Sequence, residues 1–182
     1  MGNYQQNQYT EKSIVVLPFV NMSPDPDNEY FSDGLTEEII ADLSMLDFLR
    51  VISRTSAMMF KGVKKSAPAI AQELQVRYVL EGSIRKAGHR LRITAQLIDA
   101  QADRHIWAQK FDGVLEDVFD IQEEVAGKIV EALRGRLTPE DQKQMAARPS
   151  FHEVGIYETY ARARFEFWRT EPGSQEKALS LL

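Results

Sequence analysis

Lys61, Lys64 and Lys65 stand just ahead of Ser66, and Ser66 stands just ahead of a run with helical spacing. Ser66 reads as the N-cap of that helix, Pro68 suits its first turn, and Ile70 and Leu74 share a face. Ammonium groups beside the exposed N–H groups of a helix start can hold a phosphate or carboxylate. Lys61, Lys64, Lys65 and Ser66 are therefore the chain's candidate site for a small anion. The stretch is not a P-loop, because the Gly-x4-Gly-Lys-Ser/Thr spacing is absent. Exposed lysines are also common on surfaces that bind nothing.

The other residue types capable of chemistry do not assemble into a motif. Asp25, Asp27 and Glu29 have the alternate spacing that opens an EF-hand loop, but the sixth position is Tyr30 where glycine is needed and the twelfth is Thr36 where glutamate is needed. A capped, solvated turn explains these acids without calcium. His89, His105 and His152 have no partner spacing that would make a hydrolytic triad or a zinc site. There is no cysteine, which excludes disulfides and thiolate metal sites. The expectation is a chain with no catalytic residue, no metal and no cofactor.

The charge is unevenly placed. Between Arg50 and Arg92 there are ten basic and two acidic residues, while 12 basic and 25 acidic residues lie elsewhere, for a net charge of −5. Basic strand surfaces facing acidic helices within one fold would produce this pattern, and so would a basic docking surface for an acidic partner. No nucleic-acid-reading motif is present, and none is expected to act through this chain. The longest apolar run, Ile14 to Val20, contains Pro18 and is far short of a membrane span; residues 1–12 are polar, with no signal-peptide core. The chain as written thus reads as cytoplasmic, or as extracytoplasmic if its parent protein carries an upstream span.

The positioning elements follow from periodicity. Residues 1–12 read as a disordered lead-in. Residues 13–19 (SIVVLPF) suit a short buried strand that Pro18 ends or places at an edge. Residues 30–46 form a helix with Phe31, Leu35, Ile39, Leu43 and Leu46 on one stripe, and residues 48–53 form a second strand. The stretch 77–112 reads as a three-stranded meander. Leu91, Ile93, Ala95 and Leu97 alternate with Arg92, Thr94 and Gln96, the mark of one buried face. Gly88 supplies the first turn, and Trp107 and Phe111 share a side of the third strand. Trp107 is expected to be largely buried, so that Trp107→Ala costs about 3–5 kcal/mol. Gly82 marks a strand position where something approaches closely, or a bulge. Asp112-Gly113 is expected to break the third strand, and residues 115–137 carry a further helical stripe. The sum is an α/β (α+β) domain: a mixed five-stranded sheet flanked by helices over 13–137. A polar linker at 138–151 and a helical hairpin at 152–182 follow.

Two segments carry a family resemblance. SIVVLPFVNMSPDPDNEYFSDGLTEEIIADLS and the run from Arg77 to Val130 resemble, in the same order, the TolB N-terminal-like module of bacterial signalling proteins. That module precedes tetratricopeptide repeats and often follows a class III nucleotide cyclase, winged-helix or kinase domain. Residues 157–182 resemble the first, truncated helical pair of such repeats, with EKALSLL in the second-helix pattern around Ala178, although the first helix lacks the Leu-Gly-x2-Tyr core. The resemblance implies no catalytic residue; any activity would belong to a fused domain, such as a nucleotide cyclase, outside this chain.

A single helical pair cannot bury both its faces. Tyr157, Tyr160, Phe165 and Trp168 are therefore expected to pack on the α/β domain or on a second copy, giving a homodimer through the C-terminal helices. Arg85, Lys86, Arg90 and Arg92 on the meander complete the expected protein-partner surface. The functional expectation is a non-catalytic regulatory and protein-interaction module of a multidomain bacterial signalling protein. The alternative is a sensor of a small anionic ligand near Lys61–Ser66.

Overall fold

The computed structural model describes residues 12–133 and, singly, residues 139 and 143. The chain divides into two compact units, Met1–Thr138 and Pro139–Leu182. The helical pair expected at 152–182, with Tyr157, Tyr160, Phe165 and Trp168, lies outside the described residues, as do the linker apart from those two positions and the lead-in up to residue 11.

Chain order begins with β1 (Ser13–Val16), β2 (Val20–Asn21), α1 (Glu29–Ser44), β3 (Arg50–Val51), α2 (Arg54–Met58) and α3 (Ala67–Leu74). The meander strands β4 (Tyr78–Ala87), β5 (Arg90–Asp99) and β6 (Arg104–Val114) follow, and α4 (Val118–Leu133) closes the described residues. The sheet is mixed, in the order β3-β1-β4-β5-β6, with the two-residue β2 also on β4. β1 is parallel to β3 and to β4, whereas β4, β5 and β6 are antiparallel neighbours. The expected α/β domain is therefore present, with β2 as a short resumption of the first strand.

β1 is a strand buried on both faces, and its residues are all fully buried. Its position between β3 and β4 explains this. From β1 the chain crosses to β3 on one side, then back past β1 to β4 on the other. Right-handed crossovers in opposite directions place their helices on opposite faces of the sheet. α1 therefore lies on one face, where it also contacts α4, and α3 lies on the other against β4. Pro18 acts as expected: β1 ends at Val16, and Phe19 turns into the core at 1% exposure before β2 resumes pairing. Its N–H donates to Thr36 Oγ1 at 3.0 Å, and that hydroxyl donates to the Ser32 carbonyl at 2.8 Å, tying the break to α1.

The meander matches its reading in faces and in its first turn. Leu91, Ile93, Ala95 and Leu97 are buried, and Gly88 has φ +60° between β4 and β5. Two expectations are corrected. β6 does not stop at Asp112-Gly113 but pairs with β5 through Val114, which lies opposite Arg90. Trp107 is on the predicted face, 6.3 Å from the Phe111 ring, but only half-buried. β6 is the edge strand, so its core-facing side chains have a neighbouring strand on one side only. Trp107→Ala should accordingly cost about 1–3 kcal/mol in urea denaturation, below the range for a fully enclosed tryptophan.

Candidate functional site

Strand parity and register arrange one surface residue by residue. On β4 the odd positions Glu81, Ser83, Arg85 and Ala87 share a face, on β5 the even positions Arg90, Arg92, Thr94 and Gln96, and on β6 the even positions Ala108, Lys110, Asp112 and Val114. Register sets these in cross-strand rows. Arg85 lies opposite Arg92, which lies opposite Asp112; Ser83 lies opposite Thr94, which lies opposite Lys110. Val20 of β2 extends the second row beside Ser83, and the Met22 N–H donates to the Ile84 carbonyl at 2.7 Å, which continues the same pairing toward Arg85. Among the described residues neither α1 nor α4 lies on this face, α3 contacts β4, and Val79 and Ile98 are buried. At its middle Ser83 and Thr94 are half-buried, and its far end is exposed. Arg85, Arg90, Arg92, Lys110 and Asp112 are all exposed, as are Val20 at 56%, Met22 at 51% and Val114 at 40%.

The electrostatics of the face are partly self-satisfied. Arg92 donates from Nε and Nη2 to the two oxygens of Asp112, at 2.5 and 3.2 Å. This pairing raises the Arg92 guanidinium above its ordinary value and lowers the Asp112 carboxyl below its own. Gln96 donates to Glu81. Among the described residues, Arg85, Arg90 and Lys110 have no ion pair. Arg85 and Arg92 are like charges directly opposite each other, an arrangement that is unfavourable by itself.

Of the predicted partner surface, the structure brings Arg85, Arg90 and Arg92 together. Lys86 belongs to the opposite face, since consecutive strand residues point to opposite sides; its N–H is held by Ser23 Oγ at 2.9 Å. The sequence reading overlooked Lys110, Val20, Met22 and Val114. Alternation within β6 already signalled Lys110 and Val114, but Val20 and Met22 join only through the pairing of β2 with β4.

The lysines before α3 have other employment. Ser66 caps the helix as predicted, accepting from the Ala69 N–H at 3.4 Å. Lys61 Nζ reaches across to α1, 2.7 Å from Asp33 and 2.8 Å from Glu29. Lys65 Nζ lies 2.6 Å from Glu73 and 5.8 Å from the Phe60 ring centroid. Of the three lysines, only Lys64 has no ion pair among the described residues. For Lys61, burial pulls the ammonium down, but hydrogen bonds and attraction from Asp33 and Glu29 outweigh it and leave the group above its ordinary 10.5. A raised lysine stabilises the fold fully below its unfolded value and loses that contribution only as pH rises through the folded one. Lys61→Met should therefore lower stability by an amount that is constant between about pH 6 and pH 9 and fades above about pH 10.5, within the ~0–1 kcal/mol of exposed pairs. Thermal melts across that range would check the profile.

Among the described residues, no group of three or more His, Cys, Asp or Glu side chains could hold a metal ion. No helix among them is long and apolar enough to cross a membrane.

A mixed sheet with helices on its faces defines an α/β domain. The chain belongs to the family described as HilA/YgeH-like transcriptional regulator, second domain, whose model matches residues 10–128. It is 49% identical over 152 residues to "Putative adenylate cyclase 3" of Rhizobium meliloti (strain 1021), an alignment covering 84% of this chain and 26% of that protein. The chain thus spans about a quarter of that relative's length. Its fold is that of TolB from Acinetobacter baumannii: TM-score 0.50 and 19% identity, over 68% of this chain and 28% of that one. The lipoprotein GNA1162 of Neisseria meningitidis is also similar, at TM-score 0.49 and 17% identity, over 65% of this chain and 98% of that one.

The cytoplasmic location expected from the sequence is corrected by the same findings. The fold is shared with TolB from Acinetobacter baumannii. The earlier expectation rested on the lack of an export signal in this stretch, which says nothing of where a longer parent begins.

Proposed function

We propose that the domain is a regulatory protein-interaction module of a multidomain bacterial signalling protein, coupled to an effector domain outside this chain. The observation that carries this reading is the pairing of its relatives. One is the second domain of a transcriptional regulator; the other stretch belongs to a protein named as an adenylate cyclase, of which it forms about a quarter. A domain that accompanies two different outputs contributes input or coupling to them, since function resides in sites and not in a fold. In this reading the effector is a cyclase or a transcription regulator, and the segment 152–182 opens a tetratricopeptide-like array that binds protein and pairs with a second copy through Tyr157, Tyr160, Phe165 and Trp168.

Three measurements test it. The purified chain, incubated with ATP and magnesium, should form no cyclic AMP, and photo-crosslinking in cells producing the parent protein should join the domain to another protein or to another domain of the parent. Cyclase turnover by the chain itself, or crosslinks to nothing, would overturn the reading. Sedimentation of the full chain beside a chain ending at residue 137 should show self-association only in the former; a full chain that stays monomeric at every concentration removes the dimer.

A further inference from the structure

The geometry points to the open face of β2, β4, β5 and β6 as the docking site for an acidic amphipathic helix of a partner protein. This deepens the interaction reading above and rests on it. A sheet face is ordinarily covered by a second layer, as α1 and α4 cover the other side. Here the area that no helix covers among the described residues is a lattice of known register. Arg85, Arg90 and Lys110 are exposed cations without an ion pair among the described residues, and Val20, Met22 and Val114 are exposed apolar side chains at its two margins. Arg85 and Arg92 stand directly opposite one another, and Arg92 is drawn away to Asp112. Arg85 is then the cation that gains most from an incoming carboxylate, and its guanidinium can take one through two parallel N–H donors.

Charge chooses among occupants. Two copies stacked through this face would bring Arg85, Arg90 and Lys110 against their own counterparts, which repel. Nucleic acid would meet Glu81 and Asp112 within the same lattice and apolar side chains at its margins, on a chain whose net charge is −5. A helix with carboxylates along one stripe and leucines beside them satisfies both the bases and the apolar margins. Helix-on-sheet docking is also the arrangement already used on the opposite face.

The test uses the full chain and a fluorescein-labelled helical peptide of about 20 residues, which spans the face, with glutamate and leucine stripes. A lysine-for-glutamate counterpart and a short DNA duplex serve as competing probes. Fluorescence anisotropy should show binding of the glutamate peptide that weakens steeply as salt rises from about 50 to 300 mM. The double variants Arg85→Glu/Arg90→Glu and, more mildly, Arg85→Gln/Arg90→Gln should bind about tenfold or more weakly with unchanged circular dichroism. Lys128→Glu, on α4 and so on the opposite side of the sheet, should bind as the parent does. Unchanged affinity in both double variants, no binding of the glutamate peptide, or tighter binding of the lysine peptide or the duplex would each overturn the assignment. The crosslinking result stands apart from these outcomes: captured protein partners with an inert face would sink this inference and leave the interaction module intact.

Discussion

Asp99→Ala should destabilise the domain by about 3–5 kcal/mol, the range found when one member of a buried ion pair is removed. Asp99 ends β5 with its side chain at 1% exposure, and its Oδ2 accepts from Arg77 Nη2 at 3.2 Å. Arg77 is itself held in place. Its N–H donates to Ser13 Oγ at 3.0 Å, its carbonyl accepts from Ala100 at 2.9 Å, and its guanidinium lies 5.6 Å from the Tyr78 ring centroid. The pair therefore fastens the start of β4 to the end of β5 and, through Ser13, to β1. Removing the carboxylate takes the Asp99 partner away from a guanidinium that is only 13% exposed. Asn should cost less, since an amide oxygen can still accept. Urea denaturation is the measurement, and a cost under about 1 kcal/mol would mean that Arg77 swings out to water. Replacing both residues together with leucine and methionine should recover much of the loss, because apolar isosteres of a buried pair are often neutral.

Gly82→Val should cost about 3 kcal/mol or more, and Gly82→Ala about 1–3, by overpacking. A glycine inside a strand ordinarily loses stability relative to alanine, so the expected sign is reversed here. The reason is local: a Cβ at residue 82 would collide with Cε1 of Phe19 and with the Thr94 carbonyl oxygen, and would lie 2.8 Å from Phe19 Cδ1. The Phe19 ring lies on the sheet where β4 offers glycine, and Gly82 pairs with the small Ala95. Register continues unbroken through Gly82, so close approach and not a bulge explains the residue. The Phe19→Ala background should reduce the cost of Gly82→Ala measurably, a coupling expected only of neighbours, while the Thr94 oxygen keeps part of the penalty. A stabilising Gly82→Ala would show that Phe19 yields at no cost.

Much of this domain was legible before any coordinates. Period-two alternation assigned the faces of β5, and side-chain parity requires Arg92 to lie with Thr94 and Gln96 in any fold that buries Leu91 and Ile93. The same rule separates Arg85 from Lys86, and grouping those two neighbours on one surface overlooked it. The Ser66 cap was equally local: a side-chain oxygen three residues from the amide it binds needs no tertiary context. These features depend on residues a few positions apart, whose geometry the backbone itself imposes.

The sequence by itself thus determined the strands, their turns, the helical stripes and the absence of a reactive motif. Only the tertiary structure decided which surface is available. Lys61 lies 28 residues from Asp33, and no local pattern announces that their charges meet. Among the described strands β6 has only β5 as a neighbour and so is an edge, with Trp107 half-covered and Lys110 in solvent. Val20 and Met22 join the arginine face through the pairing of β2 with β4 across some sixty residues. Strand order and crossover direction set these relations, and they arise from competition among many long-range pairings, each offset by loop-closure entropy, which no window of neighbouring residues contains.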